Sequence, residues 1–225
     1  MNHKFYSKSK SEQNQILIKI GMIALFLNLV VLGISLFTNW YFLPVLSVII
    51  TLSIIAPFFD IPALKKKGKL IYYSSLFITE KEKNGIIIIH GGSLFDYVFV
   101  IDKELTGKQR TNFILQKYLE GLLNLIDDCE KNQNTSVKIK GTTYILNERT
   151  ARKLGLNIIK TDLSQTLILT FNYANILVSN SIAKGKIAFP KISNIKTFES
   201  DIRDLIERKE FIRDLNTKLK SSFVH

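Results

Sequence analysis

Two apolar runs, residues 20–37 (IGMIALFLNLVVLGISLF) and 41–59 (YFLPVLSVIITLSIIAPFF), are separated only by Thr38, Asn39 and Trp40. Neither run holds a charged side chain, and each approaches the ~20 residues a helix needs to cross a ~30 Å hydrocarbon core. A helix satisfies its own backbone polar groups, as lipid requires. The short uncharged link predicts antiparallel neighbours, a transmembrane hairpin. Trp40 and Tyr41 suit a membrane–water interface. Pro44 falls in the first turn of the second helix, where a missing N–H costs little, and Pro57 is placed to kink its last turn. A cleaved signal peptide would have a shorter apolar region and a small-residue cleavage site. A soluble hairpin would carry polar residues at helical spacing, and these runs carry almost none.

The distribution of charge sets the predicted orientation. The chain has a formal net charge of +12. Its first 69 residues hold eight lysines (4, 8, 10, 19, 65, 66, 67 and 69) against Glu12 and Asp60, a balance of +6. Short basic flanks stay on the cytoplasmic side, so residues 1–19, the polybasic linker 60–69 and both termini are expected in the cytoplasm, with the hairpin in the cell (inner) membrane. Lys65, Lys66, Lys67 and Lys69 are positioned to meet anionic headgroups, worth about 1 kcal/mol each. The Ile-, Lys- and Asn-rich usage points to an AT-rich bacterial genome.

Beyond residue 70 the pattern predicts a cytoplasmic α+β domain of about 150 residues, large enough to bury its own core. LIYYSSLFITE, IIIIH and LFDYVFVID (94–102) read as three strands of an antiparallel meander, with Asn84-Gly85 and Gly91-Gly92 as turns. Phe113, Ile114, Tyr118, Leu119, Leu122, Leu123 and Ile126 form the stripe of an amphipathic helix N-capped by Thr106. DDCEKNQNTS reads as a polar linker. VKIKGTTYILN reads as one or two strands, ERTARKLG as a short helix closed by Gly155, and LNIIK as a strand. Residues 163–184 are apolar but carry Gln165, Asn172, Asn175 and Asn180, which argue against a third span and for a buried or membrane-skimming helix. Residues 197–223 read as one charged amphipathic helix with Ile202, Leu205, Ile206, Ile212, Leu215 and Leu219 on one face.

Chemistry-bearing patterns are sparse. HGG (90–92) after a strand resembles the oxyanion-hole stretch of lipases and esterases, but the G-x-S-x-G nucleophile elbow those enzymes need is missing. ERTARKLG before a strand resembles a late motif of GNAT-type acetyltransferases, without their glycine-rich acetyl-CoA loop. Asp96, between two aromatics in a predicted strand, needs a partner, with Arg110 and Arg149 as candidates, and His3 lies in the N-terminal tail. One cysteine and one internal histidine cannot build a thiolate or imidazole zinc site, so no metal is expected. Asp127, Asp128 and Glu130 read as a solvated loop, and Cys129 among them as a thiol of raised pKa. No phosphate loop or dinucleotide fingerprint occurs; no cofactor and no nucleic acid are implied.

The sequence therefore points to a two-pass membrane protein displaying a non-enzymatic domain with a scaffold, regulatory or sensing role, its C-terminal helix offering a surface to a protein partner. The alternative is a membrane-tethered enzyme acting on a lipid or glycan precursor, with His90 and Asp96 as acid/base groups and Ser93 and Arg110 holding the ligand.

Overall fold

The computed structural model describes residues 3–143, 148–191 and 195–221. The expected continuation of a strand through 144–147, the end of the C-terminal helix and His225 lie outside them. Helix α1 (Lys10–Thr38) starts at Ser9, whose side chain accepts from the Glu12 amide in a capping box, and stops at Asn39 in the left-handed region. Helix α2 (Phe42–Lys66) passes through Pro57 and Pro62 and ends on Lys65 and Lys66, where cations complement the carbonyl end of the helix. The two helices pack side by side. Only 11% and 6% of the residues in their most apolar stretches are buried, so neither lies in the core of the described domain. By length and composition both can cross a membrane.

Three strands follow, β1 (Leu70–Tyr72), β2 (Phe77–Glu80) and β3 (Ile86–Gly91), paired antiparallel in sequence order. The expected first strand over 70–80 is thus a hairpin of two. Asn84 and Gly85 turn β2 into β3 with φ of 53° and 73°, the positive pair a tight hairpin favours. The expected third strand of the meander is instead helix α3 (Leu94–Val100). Ser93 is its N-cap and Asp96 its reciprocal partner, so Ser93-x-x-Asp96 is a capping box. Leu94, Phe95, Asp96 and Tyr97 are all buried, and Val98, although 40% exposed, is apolar too, so the sequence shows no 3.6-residue alternation to distinguish this helix from a strand.

Helix α4 (Gly107–Lys131) begins at Thr106 with a second capping box to Gln109. It runs five residues further than the polar sequence implied, because Cys129 is buried and Lys209 pairs with Asp127 and Glu130 beside it. Strand β4 (Lys138–Thr143) lies parallel to β3, Ile87 opposite Ile139. Helix α5 (Glu148–Lys153), strand β5 (Asn157–Ile159), helices α6 (Leu163–Phe171) and α7 (Tyr173–Lys184), strand β6 (Lys196–Asp201) and helices α8 (Ile202–Glu207) and α9 (Lys209–Ser221) complete the order. Residues 197–201, expected at the head of the last helix, form β6, since Phe198 is buried opposite Gly141 of β4 and Ile158 of β5. The six-stranded sheet has the order β1-β2-β3-β4-β6-β5.

The main core lies between the sheet and α4, α8 and α9, around Phe77, Ile89, Leu122, Ile139, Phe198 and Ile212. A second cluster joins Phe5, Phe58, Leu94 and Phe95. It clamps residues 3–9 and the end of α2 to α3, so the segment before α1 is no free tail.

Candidate functional site

The structure separates the two residues expected to act together. His90 lies on β3 beside Ile78 of β2, and its Nε2 is 2.9 Å from Glu80 Oε1. Both side chains are about half exposed, 47% and 52%, a diagonal pair across neighbouring strands. Asp96 is fully buried. One carboxylate oxygen accepts from the Ser93 amide and hydroxyl, each at 2.7 Å. The other accepts from the Tyr72 phenol at 2.8 Å and faces His3 Nε2 at 3.3 Å. The partner of Asp96 is therefore His3 with Tyr72, and the expectation of Arg110 or Arg149 is corrected. Arg110 spends its donors on the carbonyls of Leu105, Ile182 and Lys103, and Arg149 is exposed on α5. Burial, then the Asp96 carboxylate, raises the Tyr72 phenol far above its ordinary value.

Ser93, Asp96 and His3 do not make a nucleophile. In a Ser-His-Asp triad the imidazole stands between hydroxyl and carboxylate and takes the hydroxyl proton. Here the carboxylate stands in the middle and the serine donates to it, so no imidazole faces the hydroxyl. The cluster caps a helix and fastens residue 3 to it.

Gly91 and Gly92 do not make a turn either. Neither has a positive φ. Close neighbours explain them: a Cβ on Gly91 would lie 2.1 Å from the Tyr118 hydroxyl, and one on Gly92 would lie 2.7 Å from Leu76 Cδ2. The Tyr118 hydroxyl is 3.3 Å from that of Tyr97, and burial pushes its pKa up to about 12. Glycine here admits a phenol to the strand end.

That phenol lines a cavity of about 450 Å³ between the sheet and helices α4, α6 and α9. Its walls are Phe77, Ile89 and Phe198 on the sheet, Leu119 and Leu122 on α4, Leu169 on α6 and Leu215 and Leu219 on α9. His90, Thr142, Thr143 and Thr150 supply polar groups. A space of this size, apolar with a few polar atoms, has the character of a small-molecule site. Sequence reasoning missed it because its lining is gathered from nine elements spread from β2 to α9; the HGG stretch was its visible part. The charged face of α9 points away, since Ile212 is buried and Leu215 and Leu219 turn inward.

The remaining candidates are occupied by structural partners. Lys209 pairs with Asp127 at 2.6 Å and with Glu130, and Asp128 accepts from the Tyr73 hydroxyl at 2.7 Å. Burial first, then Asp128 and Glu82, pushes the Cys129 thiol up to about 11, a poor nucleophile. Among the described residues no three His, Cys, Asp or Glu side chains are grouped to hold a metal ion. Lys65 Nζ sits 3.4 Å from the Tyr6 ring centroid, while Lys66, Lys67 and Lys69 are exposed beside it. Comparison of the chain with protein-family models, curated proteins and solved structures finds no match.

Proposed function

We propose that the chain is a two-pass membrane protein whose hairpin holds an α+β domain at the cytoplasmic face, and that this domain binds an acyl-chain-like ligand in a sensing or regulatory role without catalysing a reaction. The observation that carries the ligand reading is the 450 Å³ cavity walled by leucine, isoleucine and phenylalanine. The membrane reading rests on two 29- and 25-residue helices in whose most apolar stretches only 11% and 6% of residues are buried, and whose lysine flanks favour the cytoplasmic side. The packing of Phe5 against Phe95 agrees with a hairpin that returns to the side from which it entered. The lysines at 65–69 then lie at anionic headgroups.

The test is native mass spectrometry of the full chain released from detergent. The wild type is expected to carry one acyl-chain adduct. Leu122→Trp, which fills the cavity, is expected to cut occupancy at least tenfold, the equivalent of about 1.4 kcal/mol. Equal adducts on both proteins, or none on the wild type after addition of a long-chain fatty acid, overturn the ligand reading.

One observation favours an enzymatic reading. An imidazole–carboxylate pair, His90 with Glu80 at 2.9 Å, stands where His90 meets the cavity, as a general base and its orienting group would. In that case a lipid or glycan precursor would be the substrate and Glu80, not Asp96, the partner. Turnover of such a precursor that His90→Ala abolishes without unfolding the chain would favour it over the binding reading.

A further inference from the structure

The first observation is one of depth. Ser53 lies within α2, seven residues before Asp60, the first charged residue toward the domain. At 1.5 Å per residue this places it about 10 Å along the helix from that charge. Yet Ser53 is the residue that the junction of α6 and α7 touches. Its hydroxyl donates to the Phe171 carbonyl at 3.4 Å, and its own carbonyl accepts from the Asn175 side chain at 3.3 Å. Further along α7, Val178 and Ile182 pack against the cluster of Phe58, Leu94 and Phe95. Helix α7 therefore climbs beside α2 from the level of Ser53 back to the domain, and α6 descends to that level.

The second observation is chemical. Residues 163–183 contain no Asp, Glu, Lys or Arg, while Lys160 and Asp162 precede them and Lys184 and Lys186 follow. Leu167, Ile168 and Phe171 are 58%, 51% and 79% exposed. The amides and hydroxyls that argue against a membrane location are largely paired locally. Thr166 and Thr170 donate to the carbonyls of Asp162 and Thr166, Asn172 to that of Ile168 and Ser181 to that of Leu177. Asn175 donates to Ser53 and accepts from Ser179, and Asn180 donates to the Ala188 carbonyl. A polar side chain whose donors are bonded back to its own helix carries little of the cost that an unpaired one would in hydrocarbon. Nine residues of α6 reach only about 13 Å, which is half a bilayer core and not a span.

We infer that α6 and α7 form a re-entrant element that dips into the leaflet on the lysine-rich side of the hairpin, with lipid covering Leu167, Ile168 and Phe171. The inference rests on the two-pass reading of α1 and α2. Lipid is the occupant because the exposed Phe171 of α6 meets α2 at Ser53, next to the exposed Leu52 in the apolar stretch that the two-pass reading places in the bilayer. It also gives the cavity its relation to the bilayer. Leu169 lines the cavity while Ile168 and Phe171 face outward, so α6 is the partition between the cavity and the acyl chains outside it.

The test uses the single tryptophan of the chain. In a Trp40→Phe background, Phe171→Trp, Ile49→Trp on α2 and Lys103→Trp on an exposed loop are each reconstituted in phosphatidylcholine vesicles with or without mid-chain brominated lipid. The expected result is that Phe171→Trp loses fluorescence to brominated lipid as Ile49→Trp does, and resists acrylamide, while Lys103→Trp does the reverse. Quenching of Phe171→Trp by acrylamide and not by bromine overturns the inference, and so does protection from both, which would mean a second protein copy covers α6. If Ile49→Trp itself ignores brominated lipid, the two-pass reading fails and takes the inference with it.

Discussion

His3 and Asp96, 93 positions apart, meet at 3.3 Å in a site closed to solvent. Around that contact the carboxylate caps α3 through Ser93 and accepts from Tyr72, while Phe5 and Phe95 pack alongside. Removing the carboxylate takes away a helix cap, worth about 1 kcal/mol, and leaves buried donors without an acceptor, at roughly 1–3 kcal/mol. Asp96→Ala is therefore expected to cost about 3 kcal/mol, read as a lowered thermal midpoint of the full chain in detergent. Asp96→Asn, which keeps an acceptor oxygen, should cost less. His90→Ala should stay within about 0.5 kcal/mol, because the half-exposed Glu80 pair contributes little. A His90→Ala loss as large as that of Asp96→Ala would reverse this assignment.

Gly91 is held by Tyr118 and not by its backbone angles. Its missing Cβ leaves room for a hydroxyl that would otherwise lie at 2.1 Å. Gly91→Ala is expected to destabilise by about 1–3 kcal/mol, the usual cost of overpacking. Tyr118→Phe should relieve part of that strain, so the double variant loses less than the sum of the two single changes. Strict additivity in the double-mutant cycle would disconnect the two positions.

Several acidic groups that are neutral at ordinary pH are buried in the fold, which gives alkaline sensitivity. Burial raises Cys129 from 9.0 to about 11, and Tyr6 and Tyr118 from 10.0 to about 12. It raises Tyr72 and Tyr73 further, helped by Asp96 and Asp128. Above pH 9 the unfolded chain sheds protons that the fold keeps, so unfolding becomes more favourable as pH rises. The stabilisation is complete below the unfolded values of 9.0 and 10.0 and is lost through the folded values near 11 and 12. Thermal midpoints should be level from neutral pH to about 9 and then fall, less steeply in Tyr118→Phe. A level profile to pH 11 would contradict the burial of these groups.

What was legible in the sequence had a local signature. The apolar runs, the Asn84-Gly85 turn, the α4 stripe with its Thr106 cap and the Gly155 stop each follow from neighbouring residues, and each stands in the structure. Helix α3 reads as a strand because a whole turn, Leu94–Tyr97, is buried and the exposed Val98 is apolar too, although its capping box is present in Ser93 and Asp96. Strand β6 was misread because Asp201 ends it and N-caps α8 with no glycine or proline between. The cavity and the place of His3 have no local signature at all. Both arise from segments the fold brings together, His3 onto α3 and nine elements around the cavity.

Asn28 and Ser35 interrupt the first apolar run, and each has a structural partner. Ser47 of α2 donates to the Asn28 side-chain carbonyl at 2.8 Å, and Asn28 donates to the Ala24 carbonyl at 2.8 Å. Ser35 donates to the Trp40 carbonyl at 2.9 Å and so steadies the turn between the helices. On the proposed two-pass reading the pair lies between membrane helices, where such a bond contributes on average about 0.6 kcal/mol and at most about 1.7. Asn28→Leu is thus expected to loosen the hairpin by about that much, with Ser47→Ala giving a similar loss and little more in combination, since either change removes the same bond. Unfolding of the full chain in mixed micelles by increasing denaturing detergent measures it. Losses that simply add would show that the two side chains do not bond to each other, and a gain in stability from Asn28→Leu would show that apolar packing, not this pair, sets the contact between α1 and α2.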